Sequence, residues 1–249
     1  MGDRVLKLTV AYDGTDFRGF AAQLEQRTVE AALRDVLERI VRREQLVLTC
    51  AGRTDAGVHA WGQVVSVPIG DADVDIDKLP FAVTRQLGPE VVVRDAAIVD
   101  APFDARRDAT WRTYRYTIVN RPAPDPFLAR TAWWVPEPLD LSLLRLGTDP
   151  FLGLHDFAAF CRKRTQPSTT MRRVLDAAWL ELGDGVLRFD ITASAFCTQM
   201  VRAIVGTLVD VGVGRIRPGE ILGILRARDR SARGRVGVPE GLCLWEVGY

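Results

Sequence analysis

The chain has 249 residues, enough to bury one large core or two small ones, and its 47% hydrophobic and 26% charged residues match a folded globular protein. No run of about eighteen apolar residues marks a membrane helix, and Met1-Gly2-Asp3-Arg4 leads straight into a strand pattern, unlike a signal peptide. A net charge of +1 rules out a bulk polycation, yet arginines gather at Arg106-Arg107, Arg112 with Arg115, Arg162-Lys163-Arg164 and Arg172-Arg173, so a local basic face is compatible with it.

In chain order, Arg4 to Tyr12 alternates Leu6, Leu8 and Val10 against Lys7 and Thr9, the pattern of a half-buried strand. Thr28 can cap a helix whose stripe is Val29, Leu33, Val36, Leu37 and Ile40, with Glu30 in its first turn. Strands are predicted at about 46–50 and 63–67. A short helix over 78–87 stops at Gly88-Pro89, and a strand follows at 91–99. The break at Ala101-Pro102-Phe103-Asp104-Ala105 suggests two domains, 1–104 and 105–249. Beyond it, 110–119 reads as a strand rich in aromatic and β-branched residues. The five prolines between Arg121 and Pro138 predict an irregular excursion. Segments 174–182 and 186–193 flank Gly183-Asp184-Gly185, a hairpin signal. A helix is predicted over 197–211, another from Pro218 to Arg226, and a last strand over 243–247. Each half has strands, a helix and more strands, which points to an α+β fold with antiparallel or mixed sheets.

Several chemistries find no support. Gly212-Val213-Gly214 starts like a dinucleotide fingerprint, but Arg217 fills the third glycine position and a helix precedes it. The aspartates from Asp71 fail as a calcium loop, with Ile76 and Ala82 where glycine and glutamate are required. The two histidines, His59 and His155, have no zinc or triad spacing. Cys50, Cys161, Cys197 and Cys243 form no C-x-x-C pair and are expected to be free thiols in a reducing cytoplasm.

Three constellations remain. In Ala51-Gly52-Arg53-Thr54-Asp55-Ala56-Gly57-Val58-His59-Ala60, a carboxylate sits between two glycines and follows an arginine. An ionised carboxylate serves as nucleophile or weak base, and the guanidinium fork pairs with phosphate or lies against a base. The same pattern also suits a turn or a helix cap. In Trp111-Arg112-Thr113-Tyr114-Arg115-Tyr116, strand alternation puts Arg112, Tyr114 and Tyr116 on one face and Arg115 on the other. Such a face offers stacking surface and phosphate donors, or simply long side chains that cover a sheet. Arg202 lies among the apolar residues Val201, Ile204 and Val205. It either pairs with a carboxylate, for which Asp55 is a candidate, or snorkels to water. The residues alone leave open a non-catalytic RNA-binding protein and a small-molecule hydrolase that uses Asp55.

Five blocks resemble the tRNA pseudouridine synthase A family. They are Tyr12-Asp13-Gly14-Thr15-Asp16-Phe17-Arg18-Gly19-Phe20, the ten residues from Ala51, and Phe103-Asp104-Ala105-Arg106 with Tyr114-Arg115-Tyr116. Ala195-Phe196 with Met200 to Leu208, and Pro239 to Leu244, complete the set. They follow the family's order and span nearly the whole chain. The resemblance implies two similar α/β-sandwich-like domains that share a large mixed, mainly antiparallel sheet, with a basic cleft between them. It also implies a cytoplasmic homodimer that uses no cofactor or metal and acts on the anticodon arm of tRNA, at uridines 38, 39 and 40. Carried onto this chain, Asp55 is the nucleophilic aspartate and Tyr114 the tyrosine that stacks on the target uracil. Arg53 is the arginine that helps displace the base, and Arg202 the partner of the catalytic carboxylate. Arg106, Arg112 and Arg115 are expected to contact the substrate. The chain departs from the family's pattern at Phe20 and Ala21, where tryptophan and glutamine are usual, at Gln199 for histidine and at Ser194 for asparagine.

Overall fold

The computed structural model describes residues 4–100, 102–162 and 169–249. Lys163 and Arg164, part of one predicted basic cluster, lie outside the described residues. The chain forms two compact units, Met1–Thr110 with Leu244–Tyr249, and Trp111–Cys243. Among the described residues, ten strands and five α-helices give a mixed α+β fold around a ten-stranded sheet.

In the first unit, β1 (Arg4–Tyr12) pairs antiparallel with both β3 (His59–Gly70) and β4 (Val91–Asp100). The alternation expected for β1 appears as Leu6, Leu8 and Val10, all fully buried. Between these strands lie α1 (Val29–Val41), the two-residue β2 (Thr49–Cys50) beside β3, and α2 (Leu79–Leu87). Thr28 caps α1 by accepting from Ala31 N at 3.4 Å, a contact of the kind that contributes about 1 kcal/mol. Val29, Leu33, Val36 and Leu37 form the buried stripe, joined by Val41, while Ile40 is only half-buried. The segment 46–48, predicted as strand, instead leads into β2 as loop. Leu46 and Leu48 are buried there without sheet hydrogen bonds. The terminal residues return to this unit within β10 (Leu242–Gly248): Thr110 N donates to Gly248 O at 2.8 Å and Tyr249 Oη to Ala105 O at 2.8 Å.

In the second unit, β9 (Val186–Ala193) pairs antiparallel with β5 (Trp111–Val119) and β8 (Met171–Gly183). The edge strand β7 (Gly153–Asp156) pairs with β8. Asp184 and Gly185, at φ 49° and 69°, close the predicted β8–β9 hairpin with the two positive angles that a two-residue turn of this kind requires. The proline-rich excursion contributes only β6 (Trp133–Trp134), parallel to the end of β5. The helix α3 (Leu141–Thr148) packs on α4 (Met200–Gly212), and a 3-10 turn from Pro218 leads into α5 (Ile221–Ala227). Neither α3 nor β7 was foreseen, because both are short and lack a clear period. Two of the four cysteines correct the expectation of free thiols: Cys161 and Cys197 form a disulfide, with Cα atoms 5.5 Å apart. Among the described residues, no helix is long and apolar enough to cross a membrane.

Candidate active site

Residues 51–58 connect β2 to β3, and buried polar groups of the first unit tie this loop down. Ala51 N donates to Val64 O at 2.8 Å. The carboxamide of Gln63, fully buried on β3, clasps Gly52 from both sides: its Oε1 accepts from Gly52 N at 3.3 Å and its Nε2 donates to Gly52 O at 2.7 Å. The same Nε2 reaches Tyr12 Oη at 3.3 Å, and Tyr12 Oη shares a 2.7 Å hydrogen bond with Thr54 Oγ1. Thr54 O then accepts from Phe20 N at 3.1 Å. Two of the five blocks, Tyr12 to Phe20 and the ten residues from Ala51, are thus one hydrogen-bonded assembly. Ala51 and Val64 also form an apolar cluster with Ala105, against which Phe103 and Val247 pack.

Asp55 opens the turn that this assembly supports. Val58 N donates to Asp55 O at 3.1 Å, and Gly57 stands third in the turn at φ 78°, an angle that side chains with a Cβ rarely adopt. Behind the turn, a Cβ on Gly14 would lie 2.0 Å from Val58 O, so only glycine lets the early loop close against it. Gly14 N donates to His59 Nδ1 at 3.0 Å, and Asp13 Oδ1 lies 3.2 Å from the same nitrogen. His59 is buried, and its Nε2 has no partner among the described residues. The effect is a half-buried carboxylate on a fixed backbone with Arg53 exposed beside it. Burial pushes the nearby Cys50 thiol up to about 12, and the positive charges of Arg53 and Arg106 oppose that rise. Both arginines therefore place positive potential at the foot of this loop. Arg106 is exposed, next to Asp104, whose Oδ1 accepts from the backbone N of Arg106 and Arg107.

The other candidate residues belong to the second unit. The burial of β5 alternates as predicted, and the face that carries Arg112, Tyr114 and Tyr116 is the buried one. Tyr116 is core: fully enclosed, it donates its hydroxyl to Val238 O at 2.7 Å, and burial drives its pKa upward. Tyr114 is 7% exposed and meets Phe196 edge-on at 5.0 Å between centroids. Arg112 donates Nη1 to Ser194 O at 2.9 Å. On the opposite face, Arg115 lies 3.3 Å from Asp190, which also holds Arg188. Arg202, half-buried on α4, donates Nε to Gly237 O at 2.8 Å and accepts from Gly237 N on its own carbonyl at 2.9 Å. Helix α4 is thereby fastened to the segment that leads to Pro239.

Of the two residues that position the loop, Gln63 was not singled out by the sequence, and Tyr12 stood only as the first residue of a block with no role of its own. Their signal was weak: one polar residue in an apolar strand, and one aromatic at a strand end.

The sequence model of the family described as tRNA pseudouridine synthase matches residues 8–106 and 149–249. The match takes in the Asp55 loop, β9 and α4, and covers well over half of the chain. This chain belongs to the tRNA pseudouridine synthase family. Relatives named tRNA pseudouridine synthase A agree with that membership along nearly their full length. The one from Leifsonia xyli is 41% identical, with 98% of this chain and 91% of the relative covered. That from Geotalea daltonii is 38% identical over 99% and 100% of the two chains, and that from Bacillus subtilis 36% identical over 98% of each. Among the described residues of this synthase-family chain, no group of three or more His, Cys, Asp or Glu side chains is placed to hold a metal ion.

Proposed function

We propose that this protein isomerises uridine to pseudouridine in the anticodon arm of tRNA, at positions 38, 39 and 40, with Asp55 as the residue that drives cleavage of the glycosidic bond. The observation that carries this reading is the Asp55 loop itself. A carboxylate held on a hydrogen-bonded backbone, with an exposed arginine two residues before it, lies in a family match that spans both units.

Uracil C5 is hidden in a stem, so the nucleotide must leave the stack, at a cost of a few kcal/mol. Arg53 contacts phosphate and fills the vacated space. Tyr114 stacks on the uracil. Asp55 attacks C1′ or C6, or abstracts the C2′ proton; each route breaks the N1–C1′ bond. The freed base turns and rejoins through C5, which loses its proton while N1 gains one. The reaction is balanced without any co-reactant. Arg202 orients the carboxylate, and Arg106, Arg112 and Arg115 contact the RNA. The protein acts as a cytoplasmic homodimer.

Release of tritium from C5-labelled uridine in unmodified tRNA tests the proposal. The wild-type protein releases it, and Asp55→Asn binds the same tRNA but releases none. Binding without release by the wild type would make the protein a non-catalytic RNA binder, and turnover by Asp55→Asn would remove the aspartate from its role.

A further inference from the structure

The last turn of α5 and the segment that follows it carry five arginines between residues 226 and 235. Two of them are neutralised. Arg228 Nε lies 3.0 Å from Asp156 Oδ2, and Arg235 gives both its backbone N and its Nε to the carboxylate of Asp210 at 2.8 Å. The only acid within the segment, Asp229, is turned onto its own β-turn. It accepts from Ser231 N at 2.9 Å and from Ser231 Oγ at 2.5 Å, and Ala232 N closes the turn on Asp229 O at 3.2 Å. Those hydrogen bonds hold the Asp229 carboxyl below its usual pKa, so it stays committed to the turn.

Arg230 lies within that turn and Arg233 directly follows it, and neither has a carboxylate in ion-pair range among the described residues. Arg230 is exposed. Arg233 is half-buried: its Nη1 reaches only Gly234 O at 3.0 Å, and its Nε is enclosed without any acceptor. Burial, and then the charge of Arg230, push the Arg233 pKa down, so the two guanidinium groups lie within repulsive reach of each other. A buried donor without an acceptor and two unneutralised like charges are both unfavourable by themselves. One anion with several acceptor oxygens relieves the repulsion, and the planar forks of arginine match phosphate for that purpose.

We propose that Arg230 and Arg233 form a phosphodiester-binding subsite that grips one backbone phosphate of the tRNA substrate. The inference rests on the function proposed above and adds a contact to it. Such contacts fix the register of a nucleic acid without reading its sequence, so the subsite acts on KM and leaves kcat alone.

The test measures tRNA affinity against salt concentration, together with kcat and KM from tritium release. In the double variant Arg230→Ala/Arg233→Ala, the slope of log affinity on log salt falls in magnitude by about 1, and KM rises roughly tenfold while kcat stays within about twofold. Arg230→Ala alone, at an exposed side chain, lowers the slope by about 1 and keeps the test decisive if Arg233→Ala impairs folding. Arg145→Ala, at an exposed arginine on α3, keeps the wild-type slope. Unchanged slope and KM in Arg230→Ala and in the folded double variant overturn the subsite. An equal loss in Arg145→Ala also overturns it, in favour of a diffuse positive field. If the wild type releases tritium while these variants behave like it, only the subsite falls; if the wild type neither binds nor turns over tRNA, the functional reading falls with it.

Discussion

Around Asp55, polar side chains are spent on backbone: Gln63 holds both polar groups of Gly52, Tyr12 holds Thr54, and the carboxylate is left half-open. Around Tyr114, polar side chains are absorbed into the sheet: Tyr116 is sealed against Val238, Arg112 against Ser194 and Arg115 against Asp190. The first region is a rigid loop whose shape depends on a few buried hydrogen bonds. The second is a packed strand whose shape depends on its neighbours. Loss of one polar group should therefore be felt sharply in the loop and mildly in the strand.

The largest effect is expected from Gly14→Ala. Its methyl group would stand 2.0 Å from Val58 O, and backbone cannot yield as a flexible side chain does. Urea denaturation should show a loss of at least about 3 kcal/mol, with tritium release falling in the fraction that remains folded. Wild-type stability would mean that the loop is looser than its hydrogen bonds imply. Gln63→Leu comes next. It keeps the volume but strands the N–H and C=O of Gly52, and should cost about 2 kcal/mol or more. A neutral result would show that water replaces the carboxamide.

Alkaline pH probes the foot of the same loop. The thiol pKa of Cys50 is raised by burial from 9.0 to about 12, so the folded state holds that proton more tightly than the unfolded chain. Its contribution to stability is complete below pH 9.0 and is lost as the pH climbs from 9.0 to about 12. Unfolding free energy measured across that window should fall less steeply in Cys50→Ala, and equal slopes would refute the assignment. The smallest effect is expected on the strand side. Tyr116→Phe removes one hydrogen bond from a well-filled core and should cost about 1 kcal/mol, with kcat unchanged. A large drop in kcat would show that the buried tyrosine does more than pack.

The same contrast explains how much could be read from the sequence. Elements with a clear period were legible: the alternation of β1 and β5, the stripe of α1 under its Thr28 cap, and the Asp184-Gly185 hairpin. The Asp55 loop was visible because its glycines and charge have no packing purpose. What escaped depends on contacts between distant residues. Nothing local predicts that Cys161 and Cys197, 36 residues apart, meet in a disulfide, that Gln63 faces Gly52, or that the Arg112–Tyr114–Tyr116 face points into the core. Alternation identifies two faces, and only the surrounding fold decides which of them is covered. Lys163 and Arg164 lie outside the described residues.

The unit that holds Asp55 also contains Leu244–Tyr249, where Trp245 stacks on Trp61 at 5.7 Å and the ring of Tyr249 lies under Lys7 at 4.5 Å. On the ribosome, that unit waits until more than a hundred intervening residues have been synthesised. The first half of the message thus encodes a body that only the far end of the chain can finish, and a nascent protein halted before Leu244 carries its Asp55 loop on an incomplete frame.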